Sequence, residues 1–189
     1  MIKNIVVGIT YLLVILLAGC VQPPQTTPNI SKQARLNYLN AMHNWKAEGR
    51  VSIQQQTQTQ TASYKWQQKS ENYQAYFYSP FSSDSLTISG NATTMRIDES
   101  HGMTKDEIEL EQSLPFVQLG YWAKGIPAPG STPQVAIYDS YNQLQTLQQD
   151  GWQVEYQCYK DTSPISLPEK ITMRRDDTKV KLLISRWQK

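Results

Sequence analysis

Trp45-Lys46-Ala47-Glu48-Gly49-Arg50-Val51-Ser52-Ile53-Gln54 puts small or apolar residues at the odd positions and polar ones at the even positions. Side chains of a strand alternate between faces, so such a run is a strand with one face in the core and one in water. The alternation recurs in Tyr64/Trp66, Tyr73/Ala75/Phe77, Leu86/Ile88, Met95/Ile97, Val135/Ile137, Trp152/Val154/Tyr156/Cys158, Ile171/Met173 and Val180/Leu182/Ile184. Turn signals separate these runs: the polar tip Gln55 to Thr61, Gly90-Asn91, the hairpin dipeptide Asp150-Gly151, and Asp176-Asp177. The expected fold is mainly β, a meandering antiparallel sheet too long to stay flat, which therefore curls.

About three helices are expected beside it. Ser31 is an N-cap for a segment reaching Asn44, in which Leu36, Leu39, Met42 and His43 recur at helical spacing. Thr104-Lys105-Asp106-Glu107 has the form of a capping box ahead of Ile108. Pro115 suits a first turn ahead of Val117, Leu119 and Trp122, with Gly125 as the stop and Ile126 to Pro133 as a loop. With neither an internal repeat nor a second domain, residues 31–189 read as a single domain. Its concave apolar face encloses either a filled core or a ligand cavity, and the pattern leaves both open.

Upstream, Lys3 and the uncharged apolar run Ile5 to Leu16 form a signal peptide, because 12 residues are too few to span a bilayer. Leu17-Ala18-Gly19-Cys20 then matches the cleavage site of bacterial lipoprotein signal peptidase. Cleavage removes residues 1–19 and leaves Cys20 with S-diacylglycerol and an N-acyl chain. At about 0.8 kcal/mol per buried methylene, three chains hold a protein on a membrane without spanning it. Val21 stands where an Asp would mark inner-membrane retention, so the outer membrane, periplasmic face, is expected. Residues 20–30, with three prolines in VQPPQTTPNI, are the acylated cysteine and a flexible tether.

The 189 residues carry 18 Lys+Arg against 16 Asp+Glu, and that net charge of +2 gives no electrostatic case for nucleic acid. Two cysteines make no multi-bridge scaffold and no four-thiolate zinc site. His43 and His101 have no second ligand at metal spacing, and Asp98-Glu99-Ser100-His101 reads as a solvated loop, so no metal or cofactor is expected. There is no Gly-x-Ser-x-Gly elbow, Walker loop or dinucleotide fingerprint, and Asp106, Glu107, Glu109 and Glu111 crowd one short helix as a solvated face. The chain reads as no enzyme. Cys158, an unpaired thiol in this reading, comes after Trp152, Val154 and Tyr156 on one strand face and is buried and inert.

The loop Ser79-Pro80-Phe81-Ser82-Ser83-Asp84-Ser85 stands apart: Phe81 is its one apolar side chain among turn residues. It either folds back under the sheet or is held outward toward a membrane or apolar ligand. A basic stripe at Arg174, Arg175, Lys179, Lys181 and Arg186 is either steering charge or scattered solubilising charge.

The order and spacing of these landmarks resemble one family. They are the lipobox, Trp45…Gly49-Arg50-Val51, Tyr64-x-Trp66-Gln67-Gln68, Ser79-Pro80-Phe81-Ser82, Leu114-Pro115…Tyr121-Trp122-Ala123-Lys124-Gly125-Ile126-Pro127, Asp150-Gly151-Trp152-x-Val154-x-Tyr156, Leu167-Pro168 and Ile184…Trp187. Together they are similar to the LolB family of outer-membrane lipoprotein receptors. The resemblance implies an open antiparallel β-barrel, a half-barrel of about eleven strands covered by helices, with a hydrophobic cavity. It implies a monomer that accepts acylated client lipoproteins from a LolA-like periplasmic carrier and inserts them into the outer membrane. The family's protruding loop carries an apolar residue after Asn-Pro and before Gly. Here Pro80 and Phe81 occupy that loop, with Ser79 and Ser82 replacing Asn and Gly, so Phe81 is the expected membrane-inserting residue.

The chemistry agrees: acyl chains in transit need a surface that replaces the bilayer, and non-directional binding favours Trp, Phe, Leu and Ile. Trp45, Trp66, Phe77, Leu86, Ile88, Trp122 and Tyr156 are the candidates for lining that cavity. With no nucleotide site, transfer runs downhill through differential affinity. A tethered periplasmic scaffold with a filled core and a lipocalin-like binder of a small hydrophobic ligand are the competing readings.

Overall fold

The computed structural model describes residues 30–79, 85–100 and 114–189. Helix α1 (Lys32–Ala41) comes first, with the Ser31 hydroxyl accepting from Ala34 N at 3.2 Å, as a serine N-cap should. Next come strands β1 (Asn44–Gln55), β2 (Gln58–Lys69), β3 (Asn72–Tyr78), β4 (Ser85–Gly90) and β5 (Met95–Ser100). Helix α2 (Phe116–Trp122) precedes β6 (Val135–Tyr138), β7 (Leu144–Gln149), β8 (Trp152–Asp161), β9 (Ser166–Arg175) and β10 (Thr178–Gln188). Ten strands are described, against the eleven or so expected. The segment expected as a third helix, Thr104 onward, lies outside the described residues, as do Cys20, Pro80 and Phe81.

All ten strands join one antiparallel sheet in the order β5-β4-β3-β2-β1-β10-β9-β8-β7-β6. It consists of two five-stranded meanders joined where the first strand pairs with the last. Alternation decides the faces: Trp45, Ala47, Val51 and Ile53 are buried on β1, and Trp152, Val154, Tyr156 and Cys158 on β8. At Asp150-Gly151 both residues have positive φ, 53° and 77°, which gives the tight two-residue hairpin between β7 and β8. Cys158 is 5% exposed, as expected, but it is disulfide-bonded where the sequence reading has an unpaired thiol. The chain's other cysteine, Cys20, lies outside the described residues.

Two expected apolar faces, Met95/Ile97 and Val135/Ile137, are covered only in part, Ile97 and Val135 being half-buried. Met95 is 43% and Ile137 51% exposed, because β5 and β6 are the edge strands, where the concave face runs out. Gly49 marks the seam between the meanders. The β1–β10 register shifts between Glu48 and Gly49, and a Cβ on Gly49 would stand 1.8 Å from the Leu183 carbonyl oxygen, so no other residue fits without moving the backbone.

Candidate functional site

The curl of the sheet is evident from one cavity. Phe77 on β3 and Met173 on β9 both line it, although four inter-strand steps separate them, roughly 19 Å on a flat sheet. They meet because the sheet wraps around α2, whose Phe116 and Leu119, with Leu114 before and Ala123 after it, fill the concave side. The remaining wall is Trp45, Ala47, Val51, Tyr64, Trp66, Val180, Leu182 and Ile184. The space left is about 30 Å³, the share of one water molecule in the liquid. Ligand pockets run to roughly 300–1,000 Å³, so the cavity is closed around α2.

Aromatic contacts hold that closure. Trp45 stacks on Trp66 at 6.0 Å, and Trp66 on Tyr73 at 5.5 Å. Phe116 is inserted among them, 6.1 Å from Trp66, 5.8 Å from Tyr73 and edge-on to Phe77 at 6.3 Å. Such contacts contribute on the order of 1 kcal/mol each beyond area burial and have no fixed polar partner, so they part without orphaning a hydrogen bond.

The C-terminal end of α2 is held by polar contacts instead. Trp122 Nε1 donates to Gln149 Oε1 at 2.9 Å, and Tyr156 Oη donates to Trp122 O at 3.0 Å. Gln149, fully buried, also accepts from Ala128 N and donates to the carbonyls of Ala128 and Ser131, fixing the loop behind α2. Lys124, 5% exposed, donates through Nζ to the carbonyls of Leu39 at 2.9 Å and Met42 at 3.3 Å, acceptors at the end of α1. Burial brings its pKa down from 10.5 to about 8. Arg35 on α1 is buried too, donating to Ser166 O at 2.6 Å, and desolvation lowers its pKa. Burial pushes the Tyr64 and Tyr156 hydroxyls up, so both stay neutral.

Of the seven residues expected to line a cavity, Trp45, Trp66 and Phe77 do. Leu86 and Ile88, on β4, Trp122, the last residue of α2, and Tyr156, on β8, are not part of this wall; all four are buried in the core that surrounds it. Alternation identifies a buried face but not which part of that face borders a void. Ala47, Val51, Tyr64, Met173, Val180, Leu182 and Ile184 share the faces already marked and were findable by extending the same rule. Phe116 and Leu119 belong to the helix expected after Pro115. Nothing local singles out Gln149 among 21 glutamines. His43 is exposed, and among the described residues no three His, Cys, Asp or Glu side chains group as metal ligands.

Residues 43–187 match the model of a family described as "LolB: Outer membrane lipoprotein LolB". The chain belongs to the LolB family. It is similar to the outer-membrane lipoprotein LolB of Coxiella burnetii (strain RSA 493 / Nine Mile phase I), 32% identical over 188 residues, covering 92% of this chain and 89% of that one. It is equally similar to LolB of Nitrosococcus oceani, 32% identical over 186 residues with 92% of each chain covered. Among solved structures, a LolA superfamily protein from Nitrosomonas europaea aligns with a TM-score of 0.48 at 11% identity, over 84% of this chain and 93% of that one. Helix α1 precedes the family match, and every strand of the LolB-like half-barrel falls within it, apart from the last residue of β10.

Proposed function

We propose that this protein is an outer-membrane-anchored receptor that accepts acylated lipoproteins from a LolA-like carrier and inserts them into the outer membrane without nucleotide hydrolysis. The observation that carries the reading is the wholly apolar, aromatic-walled cavity under α2 in a chain of the LolB family. Acyl chains lose about 0.8 kcal/mol per methylene exposed to water, so a client needs a continuous apolar path. A cavity of about 30 Å³ admits one only by giving up its plug, the side chains of Leu114, Phe116 and Leu119. The two ends of α2 differ in a way that suits this. Its C-terminal end is tied through Trp122, Lys124 and Gln149, whereas its N-terminal end is held by aromatic contacts that an acyl chain replaces in kind. Loading exchanges Phe116 for methylenes, and unloading restores Phe116, so no external energy is needed beyond the membrane's greater affinity for the client.

Anchoring is assigned to Cys20, acylated on sulfur and nitrogen, and release into the leaflet to the Pro80-Phe81 loop, both on sequence grounds. A sulfur that carries diacylglycerol forms no disulfide, so acylation of Cys20 and a bond from Cys158 to Cys20 exclude each other. Ser79 and Ser85, at the ends of β3 and β4, mark where that loop leaves the sheet. No helix among the described residues is long and apolar enough to cross a membrane.

Reconstituted transfer of an acylated lipoprotein from carrier to liposomes tests the reading. The client is expected to appear in the liposomes only when the protein is added. Phe81→Glu is expected to keep client uptake and fold while deposition drops at least tenfold, read as client in floated vesicles. Normal deposition by that variant would remove Phe81 from the mechanism. Mass spectrometry of the mature protein is expected to find diacylglycerol on Cys20, and a Cys20 sulfur engaged in a disulfide instead would overturn the anchor.

A further inference from the structure

Two side chains of the apolar cavity wall carry a buried hydrogen-bonding group with no partner: Trp45 Nε1 and Tyr64 Oη, each on a side chain only 3% exposed. A buried unpaired donor is costly, and neighbouring rings avoid that cost. Trp66 Nε1 donates to Gln68 Oε1 at 3.1 Å, and Trp187 Nε1 to Pro168 O at 3.0 Å. Trp152 Nε1 is also unpartnered but does not line the cavity.

Trp45 and Tyr64 differ in what surrounds them. Trp45 borders both the apolar cavity and a neighbouring groove of about 480 Å³, where Asn40, His43, Gln68, Ser70 and Lys124 add polar groups to an otherwise apolar lining. It is therefore shared by a wholly apolar space and one of mixed character. Tyr64 pairs with Gly49, four residues along β1 from Trp45, roughly 13 Å away, where Val51, Phe77 and Val180 share the wall.

We propose that Trp45 is the reading point for the acyl linkage. Its Nε1–H donates to the ester or amide carbonyl at the head of a client's chain, the methylenes run into the cavity, and the modified cysteine and the rest of the client peptide lie in the groove. The inference rests on the receptor reading above and adds a polar element to it. An indole N–H is a donor only, and a carbonyl is an acceptor only, so the two are complementary; a bare alkyl chain leaves the N–H buried and unpaired. The groove suits the peptide beyond the acyl carbonyl, since peptide carbonyls are also acceptors and Lys124 Nζ and the Gln68 amide stand among its donors. The site so described selects acyl groups over alkyl groups of equal length.

The test compares two neutral peptides that differ by one carbonyl: one carrying O-palmitoyl-serine, an ester, the other O-hexadecyl-serine, an ether. Equilibrium binding is measured to the mature protein kept soluble by Cys20→Ala. The ester is expected to bind about tenfold tighter. Trp45→Phe, which keeps an aromatic ring and removes the donor, is expected to bring the ratio to about one, while Trp152→Phe, which removes an equally unpaired indole N–H outside the cavity wall, leaves it near ten. An ester-to-ether ratio of one in the protein with Trp45 intact, a tenfold ratio surviving in Trp45→Phe, or a ratio abolished by Trp152→Phe alone would each overturn the assignment. The first comparison needs no variant at the site, so it stands even where Trp45→Phe fails to fold. If neither peptide binds, the receptor reading falls and takes this inference with it, whereas equal binding of both sinks only the role of Trp45.

Discussion

Trp122, which ends α2, and Trp45, in the cavity wall that α2 closes, are buried tryptophans of opposite character. At the C-terminal end, Trp122 is fully buried, its N–H is hydrogen-bonded to Gln149, its carbonyl accepts from Tyr156, and Gln149 is saturated by the loop it holds. In the cavity wall, Trp45 and Tyr64 are as well buried, yet Trp45 Nε1 and Tyr64 Oη are unpaired and a void lies beside the two side chains. The first region gains stability by pairing the polar groups of Trp122, Tyr156 and Gln149, although Trp152 Nε1, on the ring packed 6.4 Å from Trp122, stays unpaired. The second keeps mainly contacts that an incoming chain reproduces. Burial does not separate Trp122 from Trp45; hydrogen-bond satisfaction does.

The largest effect that tests this contrast is Trp122→Ala. It empties a fully buried site and orphans Gln149 Oε1 in part, so about 4 kcal/mol of unfolding free energy should be lost in urea titrations. A loss below about 1 kcal/mol would mean that the polar corner is not the fixed end of α2.

Lys124 gives a smaller effect with a defined pH window. Its folded pKa of about 8 lies below the ordinary 10.5, so between those values the unfolded chain binds the extra proton and the folded chain does not. The contribution of Lys124 to stability therefore rises with pH across that window, by on the order of 1 kcal/mol from pH 8 to 9. The rise should be missing in Lys124→Met, measured by the same titrations at both pH values. An identical rise in the variant would place its cause elsewhere.

Smallest is Tyr64→Phe, which removes an unpaired buried hydroxyl and is expected to leave stability unchanged or raise it by up to about 1 kcal/mol. A loss larger than that would show that the hydroxyl has a partner and would blur the distinction between the two regions.

How far these features were legible varies with how local they are. The Asp150-Gly151 hairpin, the Ser31 cap and the strand faces at Trp45 and Trp152 were readable because a turn, a cap and a period of two are each fixed within a few residues. Met95 and Ile137 misled for the complementary reason: period two marks a face, and whether that face is covered depends on the strand's place in the sheet order, where both prove to be at the edges. The buried cation Lys124 was invisible, since its partners Leu39 and Met42 are more than 80 residues away in sequence. The cavity wall was half legible. Trp45, Trp66 and Phe77 were identifiable as large apolar residues on one face, but Leu86 and Ile88 satisfied the same rule and lie outside the void.

By itself, then, the sequence determined the strands, their inward faces, the tight turns and, through the order of its landmarks, the family; each is settled by neighbours along the chain or by spacing. Only the tertiary structure decided that the first and last strands meet at Gly49, that Phe116 plugs the cavity, and that Trp45 borders both that cavity and a second groove of mixed lining. Those facts depend on which distant surfaces the curl of the sheet brings within contact, and no local pattern encodes that distance.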